Sequence, residues 1–241
     1  MQPLLEVEGL KKTYPGFQLN GVSFSIYEDC ITGFIGANGA GKTTCIRSIL
    51  RLISHEAGTI KFKGKDISKA EKSFKNSIGV VFDEGFFYDE LTLTQMKNLI
   101  ASSYSHWDNG AYTHYLDAFS LRPDQTISSL SRGMKMKFSL ALALSHHAEL
   151  LIMDEPTSGL DPLVRKQFIE ILKEFMDQGG KAVFYSTHNT SDLDKAADML
   201  VMIDNGKILF EEDKDMLLET HRLVKGKGLL PSEAKKLFLK V

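Results

Sequence analysis

Short apolar runs alternate with longer amphipathic stretches along this chain. The runs at 31–35, 78–82, 150–153 and 182–186 are almost wholly apolar, as expected of parallel strands that are covered on both faces. Runs near the N-terminus and around 61–63 alternate apolar with polar residues, which indicates an antiparallel edge sheet with one solvated face. The pattern predicts an α/β fold with a mainly parallel central sheet. The full set of predicted strands is 4–8, 22–26, 31–35, 59–62, 78–82, 150–153, 182–186, 200–203 and 207–210.

Between residues 83 and 131 this strand pattern stops and helical periodicity takes over. Helices are predicted at 92–101, at 109–119 and from Ser131 onward, so we expect a helical insertion at about 84–145. Its aromatic residues pack a small helical core or form a patch for a partner protein. These residues are Phe86, Phe87, Tyr88, Tyr104, Trp107, Tyr112 and Tyr115. Another helix is predicted at 162–178, where Gly179 and Gly180 end it.

Composition and charge narrow the possible functions. The chain has 241 residues, 43% hydrophobic and 25% charged, with a net charge of −2, so it resembles an ordinary globular protein. Near-neutral charge argues against a protein built mainly to hold nucleic acid. With no apolar run long enough to span a bilayer and no signal peptide, we expect a soluble, cytoplasmic chain. From Lys214 the tail carries seven Lys or Arg and three acids, which predicts an amphipathic helix pair or, alternatively, lipid contact.

The segment after the apolar run 31–35 has the spacing GxxxxGK[ST]. Its glycines permit backbone angles that turn consecutive N–H groups inward, and the helix that follows adds a positive N-terminal dipole. Lys42 is expected to reach the β- and γ-phosphates of a nucleoside triphosphate, and the Thr43 hydroxyl is expected to ligate Mg²⁺. The predicted phosphate-binding residues are Gly36, Asn38, Gly39, Ala40, Gly41, Lys42, Thr43 and Thr44.

Two adjacent carboxylates, Asp154 and Glu155, follow the apolar run 150–153. Burying such a pair without a cation is costly, so a metal site explains the pair better than a structural role. Asp154 is expected to hold Mg²⁺, directly or through water. Glu155 is then placed to polarise the water that attacks the γ-phosphate, as general base or orienting group.

Further motifs surround these two. The segment Leu130-Ser131-Arg132-Gly133-Met134 precedes Asp154 by about twenty residues, Ser158-Gly159-Leu160-Asp161 follows Glu155, and His188 ends the run 182–186. In this order the motifs resemble the ATP-binding subunit of ABC transporters, over about residues 1–212. The resemblance implies a P-loop NTPase core with an antiparallel β edge subdomain and an inserted α-helical subdomain, followed by a helical tail at 213–241. It also implies a head-to-tail dimer that encloses two ATP molecules, each between one chain's phosphate loop and the other chain's signature segment, residues 130–134.

The resemblance assigns roles to individual residues. Tyr14 resembles the aromatic residue that stacks on adenine, although a lone surface tyrosine is the alternative. The hydroxyl of Ser131 and the backbone N–H of Gly133 would contact the γ-phosphate of the partner's ATP, and Ser131 is also suited to cap the helix that it begins. His188 resembles the histidine that contacts the γ-phosphate and orients Glu155 and the water.

Two departures from the family pattern stand out. Asp83 takes the place of the usual glutamine; it still accepts hydrogen bonds from water or ligates Mg²⁺, but it cannot donate as an amide does. The signature segment reads Ser-Arg-Gly-Met, where Arg132 either reaches the partner's nucleotide or points into solvent. Because Lys42, Asp154 and Glu155 are retained, we expect the site to hydrolyse ATP.

These observations predict an ATPase that powers a separate integral membrane permease, as a homo- or heterodimer on the inner face of the cell membrane. Within the family, the variants resemble subunits of bacterial multidrug and antimicrobial-peptide exporters, so we expect export of peptides, toxins or drugs. Two alternatives stay open: a soluble ATPase of this type that acts on an assembly or on nucleic acid, and a binding-only regulatory subunit of a heterodimer.

Overall fold

The computed structural model describes residues 3–82 and 86–220. Its strands are β1 (Pro3–Tyr14), β2 (Phe17–Tyr27), β3 (Cys30–Ile35), β4 (Ala57–Phe62), β5 (Lys65–Asp66), β6 (Ile78–Phe82), β7 (Leu150–Asp154), β8 (Ala182–Thr187), β9 (Met199–Asp204) and β10 (Lys207–Asp213). Its helices are α1 (Lys42–Ile49), α2 (Glu71–Ser77), α3 (Leu93–Ala101), α4 (Asn109–Ala118), α5 (Arg132–Leu144), α6 (Pro162–Met176), α7 (Thr190–Ala196) and α8 (Lys214–Thr220), with a short 3-10 helix at Ile127–Ser129. All nine predicted strands are present.

The strands form two sheets. A six-stranded sheet has the order β10-β9-β3-β8-β7-β6, and its neighbouring strands are parallel except for the antiparallel pair β9 and β10. A four-stranded antiparallel sheet has the order β2-β1-β4-β5. The predicted α/β class, with a mainly parallel sheet and an antiparallel edge sheet, is therefore confirmed.

The side chains of the central sheet divide between two cores, because alternate residues of a strand point to opposite faces. On one face, residues such as Leu151 and Val183 pack with α5 and α6. On the other face, Phe34 and Phe184 pack with Phe24 of the antiparallel sheet, and the three ring centroids are 5.1–5.3 Å apart. Both faces are covered, which explains why these strands read as unbroken apolar runs.

Three α-helices, α3 to α5, lie between β6 and β7, where the sequence predicts the insertion. Most of its aromatic side chains pack inside the protein; Tyr112, for example, is buried beside Trp107. Phe86 and Tyr88 differ, since 72% and 64% of their surface is exposed. The packed core is therefore confirmed for most of the cluster, and the partner patch stays a prediction for Phe86 and Tyr88.

Four short elements have no counterpart in the sequence prediction: α2, α7, β5 and the 3-10 helix. Helix α6 ends at Met176, two residues before the predicted end, and Gly179 and Gly180 follow in left-handed conformations. Asp83 and residues 221–241 lie outside the described residues, so the predictions made for them stay predictions. No helix among residues 3–82 and 86–220 is long and apolar enough to cross a membrane.

Candidate functional site

The predicted site residues follow strands that are neighbours in the central sheet. Ile35, Thr187 and Met202 occupy matching positions at the carboxyl ends of β3, β8 and β9, and Asp154 of β7 lies opposite Ser186 of β8. The phosphate-binding loop follows β3, Glu155 follows β7 and His188 follows β8. Parallel strands end at a common edge, which is where open α/β sheets bind their ligands. Sheet order therefore gathers segments that are up to 152 residues apart in sequence, from Gly36 to His188.

The phosphate-binding loop has the backbone that its glycines predict. Gly39 and Gly41 have φ angles of 83° and 117°, which favour glycine. A Cβ on Gly41 would lie 2.7 Å from Leu19 and 2.9 Å from Phe17, so this glycine is also needed for close packing on β2.

Helix α1 begins directly after this loop and has an unusual N-terminus. The described side chains include no cap for α1 and no acidic residue in its first turn, whereas α3, α5 and α6 are capped by Thr92, Ser131 and Asp161. The first N–H groups of a helix need acceptors from outside the helix. Their geometry and the helix dipole make the start of α1 suited to an anion such as phosphate.

Lys42, Glu155 and His188 form a continuous chain of polar contacts. The Lys42 ammonium donates to the carbonyl oxygens of Gly36 at 2.7 Å and Ala37 at 3.3 Å, and lies 3.3 Å from Oε1 of Glu155. The other Glu155 oxygen, Oε2, lies 2.7 Å from Nδ1 of His188. Lys42 is only 6% exposed and His188 is 50% exposed, so this series of contacts runs from a buried cation to an accessible imidazole. Glu155 thus contacts both predicted catalytic partners.

Ser186 holds the two adjacent carboxylates in place, a role that the sequence analysis missed. Its hydroxyl donates to Oδ1 of the buried Asp154 at 2.6 Å, and the Glu155 N–H approaches both its carbonyl oxygen and its hydroxyl at 3.1 Å. Glu155 itself has a φ of 50°, which costs about 1–2 kcal/mol for a residue with a side chain. Such strain persists where the surroundings enforce it, as they do at functional sites. Ser186 was detectable only as a polar residue in an otherwise apolar strand.

A buried polar network supports the turn that follows Glu155. The Thr157 hydroxyl lies 2.7 Å from the Tyr185 hydroxyl and donates to Oδ2 of Asp192 at 2.8 Å, while Tyr185 donates to the same carboxylate at 3.2 Å. Burial, with the Asp192 charge as a smaller cause, raises the pKa of Tyr185, so its hydroxyl stays protonated. The network connects the turn after β7 with α7, the helix that follows His188. Its members are distant in sequence, and no motif singled them out.

Tyr14 is the last residue of β1 rather than part of an irregular loop. It pairs with Phe17 of β2, and the Phe17 ring lies against Gly41 of the phosphate-binding loop. The Tyr14 ring is 40% exposed, with the Lys12 ammonium 5.4 Å from its centroid. An exposed ring at this hairpin end is available to stack on a flat ligand beside the loop.

Ser131 and Gly133 lie at the N-terminus of α5. The Ser131 hydroxyl accepts from the Met134 N–H at 3.3 Å, so its predicted capping role is confirmed. A Cβ on Gly133 would be in ordinary contact with Val164 of α6, at 3.5 Å. Asp161 caps α6 by accepting from the N–H groups of Leu163 and Val164 at 3.0 Å. The described contacts of the signature segment thus include α6 and the turn that precedes it.

Comparison with known proteins identifies the family. The family described as "ABC transporter" matches residues 19–158, more than half of the chain. The chain is 31% identical over 225 residues to the bacitracin transport ATP-binding protein BcrA of Bacillus licheniformis, covering 92% of this chain and 74% of BcrA. It is 32% identical over 212 residues to the linearmycin resistance ATP-binding protein LnrL of Bacillus subtilis strain 168, covering 86% of this chain and 68% of LnrL.

A solved structure supports the same conclusion. The structure titled "Structure of ATP binding subunit of ABC transporter" superposes with a TM-score of 0.81 at 28% identity, covering 90% of this chain and 92% of that one. The motifs, the sheet order and these likenesses agree with one another. The chain therefore belongs to the ABC transporter family, as an ATP-binding and ATP-hydrolysing subunit.

Proposed function

We propose that this chain binds MgATP between its own phosphate-binding loop and the signature segment of a second subunit, and that hydrolysis there powers the export of peptides or drugs by a separate membrane permease. The observation that carries the proposal is the contact chain from Lys42 through Glu155 to His188 at one sheet edge. The printed names of two relatives, one for bacitracin transport and one for linearmycin resistance, support this class of cargo.

Each residue of the contact chain has a distinct part in the proposed hydrolysis. The uncapped start of α1 and the Lys42 ammonium bind the β- and γ-phosphates, so Lys42 transfers its contact from Glu155 to the nucleotide. Glu155 is then free to orient and polarise the attacking water. His188 stays bonded to Glu155 through Nδ1, and its half-exposed ring is available to contact the γ-phosphate.

The residues next to the phosphate-binding loop fit a magnesium ion. Thr43 in the first turn of α1 offers a hydroxyl, and the buried carboxylate of Asp154 keeps an oxygen beyond the one that accepts from Ser186. Hard oxygen ligands of this kind, completed by water and phosphate oxygens, are the set that Mg²⁺ prefers. When bound, the ion would neutralise charge that develops on the phosphates during transfer. Asp83 is proposed as a third contact from the sequence alone.

The second subunit supplies the other half of the proposed site. Ser131 and Gly133 lie at an exposed helix N-terminus, where a hydroxyl and backbone N–H groups suit the γ-phosphate of ATP bound to the partner. Tyr14 would stack on the adenine at about 1–3 kcal/mol per base. Because ATP contacts both subunits, its binding favours the dimer and its hydrolysis releases it.

The decisive experiment replaces Glu155 by glutamine. Glu155→Gln keeps the volume and the hydrogen bond to His188 but removes the charge, so phosphate release should fall by about 100-fold or more while ATP still binds. The variant should also accumulate as an ATP-dependent dimer in size-exclusion chromatography. Glu170→Gln, an exposed carboxylate on α6, is the matched control and should retain normal activity. Normal turnover in Glu155→Gln would contradict the proposal.

A surface groove between the insertion and the central sheet is the proposed permease-docking site. Two adjoining cavities of about 570 and 240 Å³ share Val80, Phe82 and Tyr104 in their lining. The exposed Phe86 forms one wall, and polar residues of α2 such as Lys72 form the rim. An apolar floor with a charged rim suits a short amphipathic helix, which we assign to the cytoplasmic side of the permease.

Docking can be tested separately from hydrolysis. Leu52 lines the groove and is 57% exposed, so Leu52→Asp should leave the fold and the ATPase activity of the isolated subunit unchanged while it prevents co-purification with the permease from solubilised membranes. Leu209→Asp, at a 48% exposed leucine on β10, is the control. If both variants retain the permease equally, the groove is not the docking site.

A further inference from the structure

Arg132, the residue that departs from the family signature, lies against the turn that follows Glu155 in the same chain. A Cβ on Gly159 would be 2.9 Å from Cζ and 3.4 Å from Nε of Arg132, and closer still to Nη1. The guanidinium therefore occupies the space where any other residue at position 159 would place its side chain. Arg132 is exposed, as one of the two sequence interpretations predicts, but its guanidinium also lies against its own chain, and contact with the partner's nucleotide stays a prediction.

The electrostatics of α5 make this placement notable. Arg132 is the first residue of α5, and the helix has no acidic residue in its first turn. A cation at the positive end of a helix dipole is unfavourable. A residue whose charge opposes its own helix dipole in this way is typical of a position retained for function. In this position the Arg132 guanidinium lies against the turn at Gly159.

The turn at residues 157–161 is connected to both halves of the proposed site. Its Ser158 N–H donates to the Glu155 carbonyl oxygen at 3.1 Å, and its Leu160 N–H donates to the Thr157 carbonyl oxygen at 3.2 Å. Thr157 is anchored in turn to Asp192, in the helix that follows His188. A shift of this turn would therefore reach the Glu155 backbone.

We propose that Arg132 is a positioning residue that holds the turn at residues 157–161 against the first turn of α5, so that the signature segment and Glu155 of one chain move together. This inference rests on the proposed function, in which the signature segment serves the partner's ATP and Glu155 serves the chain's own ATP. Through this contact, engagement of the partner's nucleotide sets the position of the chain's own hydrolytic carboxylate.

The test is a double-substitution cycle on the purified full chain. Arg132→Gly removes the guanidinium, and Gly159→Ala displaces it, since the clashing atoms belong to a flexible side chain. Gly179→Ala is the matched control, because Gly179 has the same left-handed conformation, φ 70° against 67°, with nothing within 4 Å of an added Cβ. The measurements are amide hydrogen exchange at Ser158 and Leu160 without nucleotide, steady-state ATPase kinetics and nucleotide affinity.

We expect exchange at these amides to rise by about tenfold in Arg132→Gly and in Gly159→Ala and to stay unchanged in the control. The kcat should fall by about fivefold to tenfold in each variant, and equally in the double variant, with nucleotide affinity unchanged. The inference is overturned if exchange is unchanged or if kcat is normal despite raised exchange. It is also overturned if the kcat losses of the single variants multiply in the double variant. If exchange rises in the two variants but the wild-type chain hydrolyses no ATP, the proposed function is overturned and the contact itself is still supported.

Discussion

The two halves of the proposed ATP site are held in different ways. Lys42 and Glu155 are mostly buried and form an ion pair, and the Glu155 backbone is strained. Four neighbouring strands of one sheet fix their positions. Ser131 and Gly133 lie at the exposed end of a single helix and are positioned by contacts with Met134 and Val164. The first half is built into the core, whereas the second half is presented on the surface.

This difference gives the two halves separate roles, one in ATP chemistry and the other in engaging the partner subunit. A site fixed by a rigid sheet keeps its charges in place before the ligand arrives, which is what electrostatic stabilisation of phosphoryl transfer requires. A helix end on an inserted subdomain is able to approach and leave a partner subunit as a unit. In this arrangement the sheet edge carries out the chemistry, and α5 controls when the partner subunit is engaged. Substitutions at the sheet edge should therefore change ATP binding, whereas substitutions at α5 should change dimerisation.

The largest effect is expected at the sheet edge. Lys42→Ala removes the cation that contacts two loop carbonyls and Glu155, so ATP affinity should fall by about 100-fold, as for other buried, hydrogen-bonded charges. Isothermal titration with ATP measures the loss. Lys61→Ala, which breaks an exposed pair with Glu8, is the control and should bind ATP normally. Unchanged affinity in Lys42→Ala would contradict the assigned role.

An intermediate effect is expected at the signature segment, with a matched helix cap to separate function from stability. Ser131→Ala and Thr92→Ala each remove a side-chain cap, of α5 and α3, and each should lower stability by about 1 kcal/mol, or the Tm by about 2–4 °C. Only Ser131→Ala should also weaken the ATP-dependent dimer, by about tenfold for a lost charge-assisted hydrogen bond. Equal dimerisation by the two variants would show that Ser131 is a cap alone.

The smallest effect is expected where the far end of α5 is attached to the sheet. His146 follows α5, stacks on Tyr104, and places its ring nitrogens 3.3 and 2.9 Å from the carbonyl oxygens of Leu142 and Ile78. Burial lowers the pKa of His146 from its ordinary value near 6.5, although the two carbonyl contacts oppose part of the shift. Below pH 6.5 the unfolded chain then binds a proton that the folded chain does not, so stability should fall as the pH falls.

Thermal unfolding between pH 7.5 and 5.5 measures this dependence. His146→Gln retains an amide donor and should flatten the decline of Tm with falling pH. Thr92→Ala, which removes the side-chain cap of α3 but no titratable group, is the control and should retain the wild-type slope. A wild-type slope in His146→Gln would show that the burial of His146 does not cause the pH dependence.

Much of the architecture was predictable because its causes are local. Unbroken apolar runs revealed the central strands, and alternation revealed the antiparallel sheet, since each pattern follows from which faces of a strand are covered. The loop at Gly36–Thr43 was predictable for the same reason: glycine spacing dictates backbone angles directly. The short elements α2, α7 and β5 escaped prediction, because a few residues leave too little periodicity to detect.

The amino-acid order specifies which groups are present: a lysine and a hydroxyl after a glycine-rich turn, two carboxylates after one strand and a histidine after another. The fold brings Lys42, Glu155 and His188 into contact, because sheet order, and not sequence separation, sets which strand ends are neighbours. It also decided where Arg132 lies. A flexible cationic side chain on a helix end has many accessible positions, and the packing of α5 beside the turn at Gly159 selects one of them.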